Sequence, residues 1–187
     1  MNDQTKALPS KPIITVELVS QLPPGDLQDL CDATDSAIEA GGGFGWLKLP
    51  ARETLERYWQ GVLTMPARIM FVARLDGVIC GSIQLVFPAK NNEAQSLSVQ
   101  LTANFIAPWA RGHGLARMMI EAAEDKAREE GAAVINLDVR ETQEAAIKLY
   151  ENMGYINFGT HPFYARVEGK SVKGCYYYKV IAPEAVQ

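Results

Sequence analysis

The sequence of 187 residues predicts an α/β fold: a mixed, mostly antiparallel sheet flanked by helices, with one parallel pair of strands. Three features carry this reading. Asp76-Gly77 separates the apolar runs 68–75 and 78–87, and that dipeptide suits a tight antiparallel hairpin. Residues 94–106 alternate with period two, which places Leu97, Val99, Leu101, Ala103 and Phe105 on one face and Ser98, Gln100, Thr102 and Asn104 on the other. Directly afterwards comes a helix with Leu115, Met118, Met119, Ala122 and Ala123 on one stripe, and then a strand over 133–139. A strand–helix–strand unit demands a parallel pair and a right-handed crossover.

The remaining elements come in order along the chain. Residues 1–12 read as a loose tail and 13–18 as a short strand, closed by the turn signal Pro23-Pro24-Gly25. From 26 to 40, Leu27, Leu30, Cys31, Thr34, Ala37 and Ile38 recur at helical spacing, and Gly41-Gly42-Gly43 ends that helix. Phe44-Gly45-Trp46 lies in a loop before a second helix over about 51–63, and Asn91-Asn92 breaks the chain ahead of the long strand. Gly131 closes the helix after that strand. A last helix over 143–152 is stopped by Gly154 in the left-handed conformation. Strands over 155–165 and 175–181 surround Gly169. The order is βααβββαβαββ, one domain over 13–182 with a C-terminal tail at 183–187.

Composition narrows the function. Apolar residues make up 48% and charged residues 21%, the profile of a globular chain and not of a disordered one. A net charge of −4 lacks the basic excess of a nucleic-acid binder, so no nucleic-acid partner is expected. Cys31, Cys80 and Cys175 are odd in number and show no CxxC spacing, which suggests neither a disulfide framework nor a zinc site. Only His113 and His161 are present, so a histidine-rich metal centre is not expected. No apolar run approaches 18 residues and the first residues lack the apolar core of a signal peptide. These features point to a cytoplasmic protein without a membrane partner.

The most informative stretch is 106–117, where a strand ends, glycines follow and an amphipathic helix begins at once. The first turn of a helix leaves backbone N–H groups without partners and carries about half a positive charge. Glycine lets a bulky anion approach that backbone, so the place suits a diphosphate. A P-loop would need GxxxxGK followed by Ser or Thr, which is absent, and a dinucleotide fingerprint would need glycine where Arg117 stands. The spacing Arg111-x-x-Gly114-x-Ala116 instead resembles the acyl-CoA loop of the GCN5-related N-acetyltransferase family. Leu137-Asp138-Val139-Arg140 and the run Ala145 to Tyr155, with Leu149-Tyr150 and Gly154-Tyr155, are similar to that family's later segment. A finer resemblance, through Gly43-Phe44, Gly159, His161-Pro162, Tyr164 and Tyr176-Tyr177-Tyr178-Lys179, is to the tabtoxin-resistance acetyltransferases.

The resemblance implies that the parallel strands ending near Ile106 and Val139 splay apart, so that Asn104, Phe105 and Ile106 pair through their backbone with the pantetheine of acetyl-CoA. It implies a diphosphate held by Gly112, His113, Gly114, Leu115, Ala116 and Arg117, with Arg111 and Arg117 either adding charge or remaining solvated. Tyr150 would give a proton to the departing thiolate, or else pack on the stripe Ala146, Leu149 and Met153. Gln143 occupies the position of a CoA-contacting asparagine in many relatives. Gln100 stands where relatives often carry a glutamate base, which leaves Asp138 as the substitute base or as a carboxylate tied to backbone or Arg140. His113 and His161 are weaker candidates. Phe44 and Trp46 with Phe163 and Tyr164 would shape an acceptor pocket, or plug the core.

The function implied is acetyl-CoA-dependent N-acetylation of a primary amine, a small amino-acid-like molecule or toxin, by direct transfer in a ternary complex. The cysteines lie outside the matched motifs, against an acyl-enzyme. No metal is expected. A peptide or protein amine is the alternative acceptor, and Gln100 supports a second alternative, a non-catalytic acyl-CoA sensor. The sequence leaves monomer and homodimer open.

Overall fold

The computed structural model describes residues 11–42 and 45–186. Its elements are β1 (Ile14–Val19), α1 (Pro24–Glu39), α2 (Arg52–Leu63), β2 (Arg68–Leu75), β3 (Val78–Val86), β4 (Ser98–Ile106), α3 (Leu115–Glu129), β5 (Val134–Arg140), α4 (Glu144–Asn152), β6 (Ile156–Val167) and β7 (Lys170–Val180). The strands form one seven-stranded sheet in the order β1-β2-β3-β4-β5-β7-β6. Every neighbouring pair is antiparallel except β4 and β5.

Alternation along the strands sorts the core into two layers. In β2, Phe71 and Ala73 join a cluster with Leu115, Met119 and Ile120 of α3 and Tyr150 of α4. Met70 and Val72 face the other way, into a cluster with Leu30 and Ala37 of α1 and Leu55 and Trp59 of α2. Two tight hairpins set strand lengths. Asp76 and Gly77 take φ of 50° and 88°, and Glu168 and Gly169 take 49° and 80°. Two consecutive positive φ values match the twist of the flanking strands. The second turn pairs Val167 with Lys170, so β7 starts five residues earlier than the predicted 175–181.

β4 departs from its predicted alternation. Residues 93–95 form a 3-10 turn, β4 begins at Ser98, and Leu97 stays 41% exposed outside it. Ala103 has φ of 49°, and the β3–β4 register shifts opposite it, between Ser82 and Gln84. This bulge exchanges the faces of the strand residues beyond it. Phe105 therefore packs in the α1–α2 layer, 6.2 Å from the Trp59 ring, while Ile106 takes the α3 side. Gly81 makes this bend possible: a Cβ there would run into the carbonyl oxygen of Phe105 and lie 2.6 Å from Ile106 Cδ1. The parallel pairing of β4 with β5 spans only Ser98–Val134, Val99–Ile135 and Gln100–Asn136. Beyond Gln100 the two strands diverge, which opens a gap through the sheet.

Candidate active site

Two cavities meet at that gap. The larger, about 750 Å³, runs from the end of β4 along the 111–117 loop to the first turn of α4, and its far wall is Ala37, Ala40 and Gly42 at the end of α1. The smaller, about 530 Å³, is bounded by Thr102 and Ala103, by Asp138 and Arg140 of β5, and by Tyr164 and Arg166 of β6. Asn104, Gln143 and Ala146 line both.

The loop owes its shape to its glycines. Gly112 and Gly114 have φ of 87° and 79°, and Gly114 is the N-cap of α3. Side chains other than glycine are strained at such φ values. A Cβ built on either residue would meet no atom within 4 Å, so the loop presents bare backbone to open space. Arg111, Gly112, Gly114, Leu115, Ala116 and Arg117 all line the larger cavity. The start of α4, Gln143 to Ala145, lines it as well, so two helix N-termini bring positive dipole ends to the same space. Arg111 Nε donates to the Ile106 carbonyl at 3.3 Å, and Arg117 sits 3.7 Å from Glu121 in an exposed pair of little energetic weight. His113 does not line the cavity; its Nδ1 lies 3.2 Å from the Ala110 carbonyl.

In the smaller cavity Asp138 is held from two sides. Gln100 Nε2 donates to its Oδ1 at 3.1 Å, and the Tyr164 hydroxyl donates to its Oδ2. Each carboxylate oxygen has a further lone pair, so both contacts orient Asp138 without using up its capacity to accept a proton. Burial pushes the Tyr164 phenol pKa up, and the Asp138 hydrogen bond and charge push it further, so Tyr164 stays a donor. Its place depends on Gly174: a Cβ there would lie 2.7 Å from Tyr164 Cβ and collide with the ring. Tyr164→Phe removes the hydroxyl that holds Asp138 and is expected to lower kcat/KM for the amine. Gly174→Ala is expected to reproduce that loss and to cost about 1–3 kcal/mol of stability through overpacking. Kinetics and a denaturant titration check this; wild-type stability with wild-type rates contradicts it.

Tyr150 is 5% exposed and packs edge-on against Tyr155 at 5.6 Å. Asn104 Nδ2 donates to its hydroxyl oxygen at 3.1 Å. Burial raises the Tyr150 pKa, the Asn104 hydrogen bond opposes that rise, and the charge of Asp138 adds to it. The phenol is therefore protonated at neutral pH. Asn104 Oδ1, at the junction of the cavities, is buried without a hydrogen-bond partner. A ligand bearing amide N–H groups would satisfy it.

Other predicted site residues fall differently. Gln143 borders both cavities, and its Nε2 donates to the Gly41 carbonyl at 2.8 Å, next to Arg140, which donates to the Gly42 carbonyl. Trp46 packs edge-on against Tyr58 at 5.0 Å and lines neither cavity. Phe163 is 74% exposed and lines neither; its N–H donates to His161 Nδ1 at 3.1 Å. Phe44 lies outside the described residues. Among the described residues no three His, Cys, Asp or Glu side chains gather where they could hold a metal, and no helix is long and apolar enough to cross a membrane.

Residues 32–155 match the model of the Acetyltransferase (GNAT) family. The chain belongs to this family. An N-acetyltransferase in the hisH-hisA intergenic region of Azospirillum brasilense is 63% identical over 130 residues, 70% of this chain and 77% of that protein. N-alpha-acetyltransferase 30 of Saccharomyces cerevisiae is 38% identical over 63 residues, 34% of this chain and 36% of that protein. The fold of this GNAT acetyltransferase matches an N-acetyltransferase from Staphylococcus aureus Mu50 with a TM-score of 0.76 at 15% identity, over 90% of this chain and 99% of that one. It matches yncA of Salmonella typhimurium, solved with its cofactor acetyl-CoA, with a TM-score of 0.73 at 14% identity, over 91% and 95%. The finer likeness to tabtoxin-resistance enzymes has no counterpart among these relatives.

GNAT acetyltransferases take their acetyl group from acetyl-CoA and pass it to an acceptor. The glycine loop, the two helix N-termini and the partnerless Asn104 Oδ1 fit the diphosphate and the amide groups of that cosubstrate. Sequence reasoning misses three contributors to the site: the Asn104 side chain, Arg166, and the end of α1. None stands in a motif. Only the bulge at Ala103 brings Asn104 to the gap, and only the β6–β7 hairpin brings Arg166 to the smaller cavity.

Proposed function

We propose that this acetyltransferase transfers the acetyl group of acetyl-CoA directly to the primary amine of a small amino-acid-like molecule, in a ternary complex. The observation that carries the reading is the meeting of two cavities at the β4–β5 gap, one suited to the thioester carrier and the other bearing Asp138. In this reading the 111–117 loop and the N-terminus of α4 bind the diphosphate, and the free edge of β4 orients the pantetheine as an added strand. Asp138 takes the amine proton as the N–C bond forms. Tyr150 gives its proton to the sulfur as the C–S bond breaks. Gln100 does not replace the missing glutamate; it holds Asp138 in place.

The charges of the smaller cavity favour an acceptor that carries an anionic group besides its amine. Asp138 shares the lining with two arginines, Arg140, whose guanidinium donates to the Gly42 carbonyl, and Arg166. This setting is less favourable for a polycation than for a molecule that also bears a carboxylate. The test is release of CoA thiol from acetyl-CoA with a panel of amines: free amino acids, their amides, polyamines and short peptides. Turnover is expected with amino acids and is expected to fall with the matching amides. Turnover confined to peptides or polyamines, or none with any amine, contradicts the reading.

A further inference from the structure

The Asn104 side chain sits where the two cavities join, and its amide reaches the hydroxyl oxygen of Tyr150. An amide nitrogen can only donate, so the 3.1 Å contact occupies a lone pair of the Tyr150 oxygen and leaves the phenol's own proton to point elsewhere. The backbone makes this arrangement specific. Without the bulge at Ala103, residue 104 would lie on the opposite face of β4 from Val99 and Leu101, away from the layer that contains Tyr150. Tyr150 is buried, a setting that penalises a phenolate, and a neutral donor fixed on its oxygen offsets part of that penalty.

We propose that Asn104 is a positioning residue for acetyl transfer: its side-chain amide aims the Tyr150 proton at the departing sulfur and then stabilises the phenolate left behind. This rests on the proton-donor role proposed for Tyr150. In the transfer step the amine nitrogen bonds to the acetyl carbon, and the C–S electron pair moves to sulfur. Sulfur takes the Tyr150 proton, and Asp138 takes the proton lost by the amine. The Asn104 amide holds the Tyr150 oxygen throughout and gives up no proton of its own. Burial raises the Tyr150 pKa, and the Asn104 hydrogen bond holds back part of that rise, in agreement with this role.

The test is a double-mutant cycle on the whole chain, with Asn104→Leu and Asn104→Ser each made alone and with Tyr150→Phe. Melting curves confirm that the variants fold, and the serine variant serves if the leucine one does not. The expected result is a kcat about tenfold lower for either variant at saturating levels of both substrates. In the Tyr150→Phe background the same substitutions are expected to change kcat by less than about twofold. A residue that only shaped the cavity would show its loss in KM, recovered at saturation. Equal kcat losses in both backgrounds, recovery at saturation, or a rise in kcat overturns the proposal while leaving Tyr150 as the acid. A silent Tyr150→Phe overturns the donor role itself and the proposal with it.

Discussion

Asp138→Asn is expected to lower kcat/KM for the amine by about 10²–10⁴-fold, the range for a positioned general base. The substitution keeps size and shape, and Gln100 and Tyr164 can still hold a side chain there. It removes the one carboxylate that borders the smaller cavity among the described residues. Because the amine must shed a proton as it attacks, the loss is expected to shrink for amines of low pKa, which enter already unprotonated. Steady-state rates over a series of amines of falling basicity check this. Rates that match the wild type for the most basic amine contradict the role of Asp138.

Tyr150→Phe is expected to lower kcat by about tenfold or more, at or below the lower end of general-acid contributions. The ring keeps its packing against Tyr155, so stability and the KM for acetyl-CoA should change little. The hydroxyl is the group that can meet the sulfur, since Tyr150 lines the smaller cavity and adjoins Asn104 at the junction. Turnover unchanged at saturating acetyl-CoA rejects the role. Two features of the environment act against each other here. Burial keeps the phenol protonated, and the Asn104 hydrogen bond restrains how far its pKa rises. A phenol too reluctant to ionise would be a poor acid, so the hydrogen bond matters to the rate and not only to the fold.

The element order and the chemistry-bearing loop are legible in the sequence because both rest on local rules. Glycines at 112 and 114 after a strand and before an amphipathic stripe leave few alternatives, and Asp76-Gly77 dictates its own turn. Family resemblance implies the splay of β4 from β5, and the short β4–β5 ladder bears it out. Local rules misplace the stretch after the bulge. A positive φ at an alanine has no sequence signature, so simple alternation puts Phe105 on the face that Ile106 occupies. For the same reason the sequence points to the backbone of Asn104 and not to its side chain. The acceptor side is harder still. Tyr164 reaches Asp138 through a hairpin whose register is irregular between His161 and Ala165, whereas neighbouring Phe163 points to solvent. Trp46, equally aromatic but in the loop between α1 and α2, packs on Tyr58 of α2 instead. Aromatic residues outside a periodic pattern do not declare from sequence alone which cavity or core they will fill.

Titration calorimetry with acetyl-CoA, on the wild type and on Gly112→Val, is the most direct test of the carrier site. A Cβ at Gly112 would meet no atom within 4 Å, but its φ of 87° suits glycine alone. A valine there therefore adds bulk beside the loop backbone and forces it out of the glycine conformation. The wild type is expected to bind with measurable heat and the variant to lose at least about tenfold in affinity, or about 1.4 kcal/mol. No heat with the wild type, or equal binding by both proteins, would mean that the diphosphate is not held by the 111–117 backbone.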